Sequence, residues 1–350
     1  MAGIVERDQS LKRESLSDLM TIVDRKSCPF MSQVKKGAAP KNSFVEWPLD
    51  KHKDNLVRTA TYSGGISNNL PIDGEDISAN DFENYDDRTK CSVYLQYSRR
   101  VPKVSRLANM TSDIAGVGYK KEMANSIAKA LVSAKRDIES TLCSSQETAQ
   151  ETNSSPYQTR GLGKWISSSA QATLPVPADF LTPAGSIKTV SAANAQEEDL
   201  RDILQSIYEQ TGESDKTFYG LCGTQVKKTI SNFTLFTPRT NNLVVSNRDT
   251  DEGRLSAAVD IIDSDFGTIT LNLSSFLEQD ARDGNGDYDA SVGQNTLFIL
   301  NMPQLEAAFA EETSVRELPD LGGGPRSIIE SVFSLKSYSG GLDHGKYTLS

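Results

Sequence analysis

A stripe of apolar residues occupies the middle of the chain, between residues 113 and 145. Apolar side chains recur there at spacings of three and four residues, at Met123, Ile127, Leu131, Ala134, Ile138 and Leu142. Charged residues fill many of the positions between them, so one face of a helix would be buried and the rest would lie in water. The spacing predicts a single amphipathic helix about 50 Å long. We expect this helix to be a structural spine.

The hundred residues before this helix have a different pattern. Leu11 to Val23 is predicted to be a short helix, and Ser43 to Trp47 a short strand within a proline-rich arm. Residues 50–88 are rich in Asp, Asn, Gly and Ser and poor in apolar side chains. Such a segment is typical of a long loop that is either functional or disordered.

Apolar and polar residues alternate from Lys90 to Ser98, with Cys91, Val93, Leu95 and Tyr97 on one face. A period of two predicts a half-buried strand. If Val57 to Ser63 pairs with it, the residues between form the tip of a two-stranded extension. An isolated extension of this kind is unstable in water, so we expect it to lie on a neighbouring subunit.

Helical and strand patterns alternate in the remainder, which indicates an α+β fold. Residues 147–156 are polar and are expected to be mobile. Two helices are predicted, Glu197 to Gln210 with its end at Gly212, and Thr224 to Asn232. The first would bury Leu200, Ile203, Leu204 and Ile207. The predicted strands are Thr217–Leu221, Ala257–Asp263, Thr268–Leu273, Leu297–Asn301 and Ser327–Tyr338.

Charge and composition exclude several classes of protein. The formal charge of −10 over 350 residues argues against non-specific binding to nucleic acid or to an acidic membrane. No run of about 18 apolar residues occurs, and the amino terminus lacks the apolar centre of a signal peptide, so we expect the chain to stay in the cytoplasm where it is made. The four cysteines, Cys28, Cys91, Cys143 and Cys222, lie far apart and are expected to be reduced and mostly buried.

Candidates for catalysis are few. His52 and His344 are the two histidines, and both are expected in solvated loops. Gly161 to Lys164 lacks the spacing of a phosphate loop, and no other catalytic or nucleotide-binding motif is present. The carboxylate pairs Glu197–Glu198 and Glu311–Glu312 are interpreted as solvated helix faces. We therefore predict no catalytic residue, no cofactor and no metal ligand.

Two charged segments leave alternatives open. Residues Asp283 to Asp287 begin like a calcium loop, but the sixth position is Tyr288 and the twelfth is Gln294, so a polar turn is favoured. The basic cluster is formed by Arg99, Arg100, Lys103 and Arg106. It would be exposed surface, or it would contact DNA or an acidic neighbour.

The order of these elements resembles the major capsid proteins of tailed bacteriophages, which share the Hong Kong 97 fold. The resemblance covers nearly the whole chain. It is carried by the arm, the extended loop and the long helix, and then by Lys135–Glu139, Arg160–Gly163, Lys227–Phe233, Asp265–Gly267 and Ser327–Tyr338.

The resemblance implies an α+β fold with five parts: an N-terminal arm (1–49), an extended loop (50–100), a peripheral domain with the spine helix (101–160), a mainly axial domain (161–315) and strands that return to the peripheral domain (316–350). It further implies a non-enzymatic subunit of pentamers and hexamers in an icosahedral shell around double-stranded DNA. Implied partners are portal, scaffolding and decoration proteins, without a membrane. The shell would be assembled in the host bacterial cytoplasm and become the virion.

Other functions remain open at this stage. An encapsulin-like nanocompartment shell would have the same fold. A carboxylate and metal enzyme would use residues 280–289 and depend on Asp283 or Asp287. A fibre, tail or adhesion protein would show repeats, which the sequence lacks. No lysine, asparagine and carboxylate set for covalent links between subunits is identifiable, so we expect a non-covalent shell.

Overall fold

The computed structural model describes residues 27–52, 76, 88–111, 122–213, 216–233 and 259–350. Four predicted helices or strands lie wholly or partly outside these residues. They are the helix from Leu11 to Val23, the strand from Val57 to Ser63, the first part of the long helix (residues 113–121) and the first two residues of the strand from Ala257 to Asp263.

The described helices are α1 (Pro29–Gln33), α2 (Arg106–Thr111), α3 (Glu122–Leu142), α4 (Leu162–Trp165), α5 (Glu197–Thr211), α6 (Thr224–Phe233) and α7 (Ala290–Gln294). Short 3-10 helices occupy Ala178–Phe180, Ala184–Ser186 and Met302–Gln304. The described strands are β1 (Lys35–Lys36), β2 (Phe44–Leu49), β3 (Thr89–Tyr94), β4 (Gln96–Arg100), β5 (Ile187–Val190), β6 (Thr217–Cys222), β7 (Ile261–Ser264), β8 (Gly267–Leu273), β9 (Thr296–Leu300), β10 (Leu305–Leu318), β11 (Arg326–Ser337) and β12 (Gly345–Leu349).

The long helix α3 follows the predicted stripe over its described length. Met123, Ala134, Ile138 and Leu142 are buried, while Ile127 and Leu131 are partly exposed. The helix ends at Leu142, a few residues before the predicted end, where the Ser144 hydroxyl donates a hydrogen bond to the Thr141 carbonyl. The serine thus satisfies one of the carbonyls that lack a partner at a helix terminus.

The helix α3 packs against a four-stranded sheet with the order β1-β10-β11-β4. The strands β10 and β11 are antiparallel, with Leu305 opposite Ser337 and Leu318 opposite Arg326. Phe333 and Leu335 of β11 are fully buried. Each such side chain contributes about 1.5–3 kcal/mol to folding.

A six-stranded sheet with the order β5-β12-β9-β6-β8-β7 forms a second layer. The predicted stripe of α5 is confirmed, because all four of its apolar residues are buried against strands of this sheet. The helix ends as predicted at Gly212, whose φ of 69° is the left-handed conformation that glycine adopts most easily. The strand β9 is buried along its whole length, because it lies between neighbours on both edges.

The arm contributes to the core that joins the two sheets. Its strand β2, predicted from Ser43 to Trp47, pairs antiparallel with β3. Phe30 and Trp47 of the arm lie in one apolar cluster with Phe333 of the four-stranded sheet and Phe298 of the six-stranded sheet. The arm therefore completes a core that neither sheet encloses alone.

The structure differs from the expected organisation in its last third. The strand β10 was not predicted, and the expected boundary between residues 315 and 316 falls inside it. The last strand, β12, pairs with β5 and β9 of the six-stranded sheet, so residues 316–350 do not all return to the sheet beside α3. The reason is pairing between distant strands, which local spacing does not encode.

Two shorter segments also differ from what the sequence predicts. The predicted strand from Lys90 to Ser98 is two strands, because the chain changes partner at Leu95, from β2 to β11. Tyr97 is consequently exposed. Residues 147–156 have a defined path, in which Ala149 and Gln158 exchange two backbone hydrogen bonds.

Candidate assembly surfaces

The arm is attached to the spine helix by a buried carboxylate. Glu139 of α3 is fully buried and accepts the backbone N–H groups of Phe30 at 2.9 Å and Met31 at 2.8 Å. Both amides lie in the first turn of α1, where backbone N–H groups have no partner within the helix. Burial raises the pKa of the Glu139 carboxyl, and the two backbone hydrogen bonds act against this rise. The helical spacing places Glu139 among the charged residues between the apolar positions, where solvent exposure is predicted, and its burial differs from that prediction.

A second contact fixes the other end of the arm. The Trp47 indole N–H donates to the Ser337 carbonyl at 3.1 Å, at the end of β11. Its ring lies 5.8 Å from that of Trp165. These contacts hold the arm against the region where the two sheets meet.

A buried arginine organises the chain after the spine helix. Arg160 has no exposed surface, and its guanidinium lies 4.7 Å from the centre of the Trp165 ring. The guanidinium donates to the carbonyls of Thr173 at 2.8 Å and Leu174 at 2.6 Å, and to the Glu147 carboxylate at 3.2 Å. Desolvation lowers the pKa of Arg160, while Glu147 raises it. Leu174 has a positive φ of 49°, so the arginine binds a carbonyl in a strained turn.

The hairpin of β10 and β11 presents its outer half to solvent. Leu305 to Ala308 are buried, whereas nearly all of residues 310–317 are exposed. The register shifts on both sides of Glu311. Such irregularities twist a strand. On its other edge β10 pairs with β1 only at Glu306 and Ala307, so within the described residues the edge beyond Ala307 has no strand partner.

The part of β10 that β1 leaves uncovered carries exposed carboxylates, whereas β1 itself consists of Lys35 and Lys36. On the β10 edge, Glu311, Glu312 and Glu317 are exposed, and Glu312 forms a salt bridge with Lys36 at 2.9 Å. These glutamates at 311 and 312 lie in a strand, so the helical interpretation of this pair was wrong. The physical reason is pairing with β11, which overrides the helical preference of the local sequence.

The predicted basic cluster lies at the opposite edge of the sheet. Arg99 and Arg100 belong to β4, and Lys103 forms an isolated bridge with Arg326. The Arg100 guanidinium makes two hydrogen bonds of 2.6 Å to Asp137 of the spine helix. Among the described residues, Arg99, Lys103 and Arg106 have no salt bridge and are exposed.

Exposed apolar side chains occur in the turn of the hairpin and in α2. Leu321 is 82% exposed in the turn between β10 and β11, and Met110 of α2 is 73% exposed. The turn adjoins the segment that leads into α2, because the Val104 N–H donates to the Pro325 carbonyl at 3.2 Å. Clusters of exposed apolar side chains are typical of surfaces that contact another protein.

The two histidines have different surroundings. His52 is exposed, as expected. His344 is fully buried, so its assignment to a solvated loop was wrong: Nδ1 accepts the Asn301 N–H at 3.2 Å, and Nε2 lies 3.3 Å from the Ser337 hydroxyl oxygen. Burial, and then the charge of Lys216, lower the pKa of His344 to about 3. The ring is therefore neutral and enclosed.

The acidic loop forms a turn. The Asp283 carboxylate accepts the backbone N–H groups of Asn285 at 2.9 Å and Asp287 at 2.8 Å, as in the favoured interpretation. Among the residues that the structure describes, no group of three or more histidine, cysteine, aspartate or glutamate side chains could hold a metal ion. None of the helices in the same residues is both long and apolar enough to span a bilayer. Cys91, Cys143 and Cys222 are buried, as expected, and Cys28 partly so.

Comparison with solved structures defines the class of protein. The chain is similar to the capsid protein of cyanophage P-SCSP1u, with 8% identity, 99% of this chain and 97% of that chain covered, and a TM-score of 0.60. The capsid protein of cyanophage A-1(L) has 11% identity, 99% coverage of both chains and a TM-score of 0.58. The encapsulin SrpI of Synechococcus elongatus has 11% identity, covers 99% and 96%, and has a TM-score of 0.53. The fold is thus that of phage capsid and encapsulin shells.

The family follows from the sequence. The family model of the SU10 major capsid protein matches residues 4–336, so this chain belongs to the SU10 major capsid protein family. No curated protein matched at the sequence level. The chain is a structural protein of the virion rather than an enzyme, and the expectation of the Hong Kong 97 fold is confirmed.

Proposed function

We propose that copies of this chain form the pentamers and hexamers of an icosahedral shell that encloses the double-stranded DNA genome of a tailed bacteriophage. Membership of a capsid protein family over residues 4–336 carries the proposal. A shell is built from many copies of one chain, and each copy must present surfaces that match another copy. The exposed outer half of the β10–β11 hairpin and the apolar residues at its tip are suited to such contacts.

The domain organisation that we propose follows the two sheets. Residues 1–49 would be the arm, and the extended loop would begin at residue 50 and end at Leu95, before β4 of the four-stranded sheet. The helix α3 and the four-stranded sheet would form the peripheral domain, and the six-stranded sheet with α5 and α6 would form the axial domain. In this organisation the last strand, β12, belongs to the axial domain, because it lies between β5 and β9.

The charge of the chain fits enclosure of DNA without sequence-specific binding. The formal charge of −10 would repel the phosphate backbone from the wall of the shell. A packaged genome that does not adhere to the wall can be released. We expect no membrane to take part.

Further partners are part of the proposal. Portal, scaffolding and decoration proteins would act with the shell during assembly in the host bacterial cytoplasm. We expect the subunits to be held without covalent links. Boiled particles on a denaturing gel should therefore give one band of the monomer mass, and a ladder of oligomers would contradict this expectation.

An encapsulin-like nanocompartment is a second candidate, because the SrpI encapsulin shares the fold over 99% of this chain. Such a shell would enclose protein cargo instead of a genome. Particles recovered from infected cells, treated with nuclease and then opened, distinguish the two. Protected double-stranded DNA supports the phage capsid, and protein cargo without DNA supports the nanocompartment.

Negative-stain electron microscopy of the purified chain tests shell formation. The chain is expressed alone and together with its candidate scaffolding protein, and is separated by size-exclusion chromatography. Closed shells, sheets or tubes tens of nanometres across are the expected result. A uniform monomer or dimer under both conditions would contradict the proposal.

A further inference from the structure

We propose that neighbouring copies of this chain meet side by side through the two edges of the four-stranded sheet, with the acidic edge of one copy against the basic edge of the next. The acidic edge is the outer side of β10, with Glu311 and Glu317. The basic edge is β4 and the residues after it, with Arg99, Lys103 and Arg106. This inference rests on the proposed function, because it names one contact by which shell subunits would join.

The first support is the open edge of β10. The strand β1 covers β10 only at Glu306 and Ala307, and within the described residues no other strand follows on that side. About ten residues of β10 lie along this open edge, and every second one directs its backbone N–H and C=O groups outward. A long unpaired strand edge tends to attract another chain. The irregular register around Glu311 and the acidic side chains disfavour pairing with an arbitrary strand, so the partner is expected to carry positive charge.

The second support is uncompensated charge. In the described part of the chain, neither Glu311 nor Glu317 forms a salt bridge, and neither do Arg99, Lys103 and Arg106. By contrast, the neighbouring charges Glu312 and Arg100 are paired within the subunit, with Lys36 and Asp137. Beyond Ala307, where β1 with Lys35 and Lys36 no longer covers β10, the unpaired charges are therefore negative, because Arg316 is paired with Glu330. The unpaired charges at the β4 edge are positive, so a second copy could neutralise both sets.

The third support is the register across the sheet. Arg99 lies opposite Glu330, which lies opposite Ser314 of β10. Lys103 bridges to Arg326, which lies opposite Leu318. The basic residues are thus level with residues 314–318 on the other edge, about 10 Å away across two strand spacings. Glu317 lies within this range, and Glu311 is level with Tyr97, two residues before Arg99. A second copy placed sideways thus brings opposite charges near each other with little displacement along the strands.

The arrangement also fixes the orientation of the copies. An acidic edge repels another acidic edge, and a basic edge repels another basic edge, so the contact runs head to tail. Each copy then offers its acidic edge to one neighbour and its basic edge to the other. A head-to-tail contact of this type closes into a ring when the rotation between neighbouring copies divides a full turn. Hexamers and pentamers are rings of this kind.

Charge reversal tests the contact in the full-length chain. One variant carries Glu311→Lys and Glu317→Lys, a second carries Arg99→Glu and Lys103→Glu, and a third combines all four changes. Each two-site variant places like charges at every contact, so its assembled fraction should fall at least about tenfold. The four-site variant restores opposite charges and should assemble as the natural chain does. Mixing the two two-site variants should restore six-membered rings, in which the two variants can alternate, but not five-membered rings, in which the odd number leaves one contact between like charges.

Controls separate this inference from the proposed function. Circular dichroism and thermal unfolding of each variant show whether the subunit is folded. Glu198→Lys with Glu209→Lys, at two exposed positions of α5, changes the charge by the same amount as Glu311→Lys with Glu317→Lys but away from the four-stranded sheet, and should assemble as the natural chain does. If the natural chain forms no particles, the proposed function fails. Two results would contradict the edge contact and leave the shell function intact, provided that the natural chain forms particles. In the first, the two-site variants assemble as well as the natural chain. In the second, the four-site variant is as impaired in assembly as the two-site variants.

Discussion

Glu139 and Phe30, 109 residues apart in sequence, are joined by a hydrogen bond of 2.9 Å between a buried carboxylate and a buried backbone amide. The same carboxylate accepts the N–H of Met31. The contact couples the arm to the spine helix, so the first turn of α1 is held by a single side chain of α3. In a shell, this coupling would transmit a shift of the helix to the arm.

We expect Glu139→Ala to destabilise the subunit by about 2–3 kcal/mol, because the N–H groups of Phe30 and Met31 lose their acceptors within the protein. Guanidinium unfolding of unassembled subunits measures the free energy of unfolding. Glu209→Ala, on the exposed face of α5, is the control and should change it by less than about 0.5 kcal/mol. Equal effects of the two substitutions would show that the buried carboxylate does not fasten the arm.

Arg160→Met should cost about 3 kcal/mol, because Glu147 and the carbonyls of Thr173 and Leu174 lose a charged donor. The flexible apolar side chain retains part of the packing on Trp165. Thermal unfolding compares this variant with Arg282→Met at an exposed position. A midpoint for Arg160→Met that matches that of the control would contradict a structural role for the buried guanidinium.

The stability of the subunit should fall in acid because of His344. Its pKa is about 3 in the folded chain and 6.5 in the unfolded reference, so the unfolded state binds the proton more readily. The contribution of the neutral His344 ring to the free energy of unfolding is complete above pH 6.5 and is lost as the pH falls toward 3. Between pH 7 and pH 4.5 the loss from this group is about 2–3 kcal/mol.

Denaturant unfolding at pH 7 and pH 4.5 measures this effect. In His344→Gln the titrating group is absent, so the variant should lose less stability than the natural chain over the same interval, although it is less stable at pH 7. Equal losses in both chains would show that another group is responsible.

Gly161→Ala should destabilise the subunit by about 1–3 kcal/mol through overpacking. A Cβ atom there would lie 2.3 Å from the Ser144 carbonyl oxygen, while the φ of −85° is one that alanine adopts readily. The effect is therefore steric. Gly284→Ala is the matched control, because no atom lies within 4 Å of its Cβ position. Its unfolding midpoint should stay close to that of the natural chain.

The local pattern was sufficient where one face of an element meets the core. The apolar stripe of α5 and its end at Gly212 were both predicted, because helical spacing and a C-terminal glycine act within a few residues. The strands β6, β8, β9 and β11 were predicted for the same reason, since their apolar runs are continuous or alternate. The resemblance to the major capsid proteins of tailed bacteriophages followed from the order of such elements.

The sequence by itself determined the elements with a clear apolar period and the class of shell protein that their order indicates. Only the tertiary structure decided that β10 is a strand, that Glu139 and His344 are buried, and which sheet receives β12. The spacing of apolar residues along the chain indicates which face of a helix or strand is buried. The burial of a polar group depends instead on partners far away in sequence, such as Phe30 for Glu139 and Asn301 for His344, and these meet only when the chain is folded.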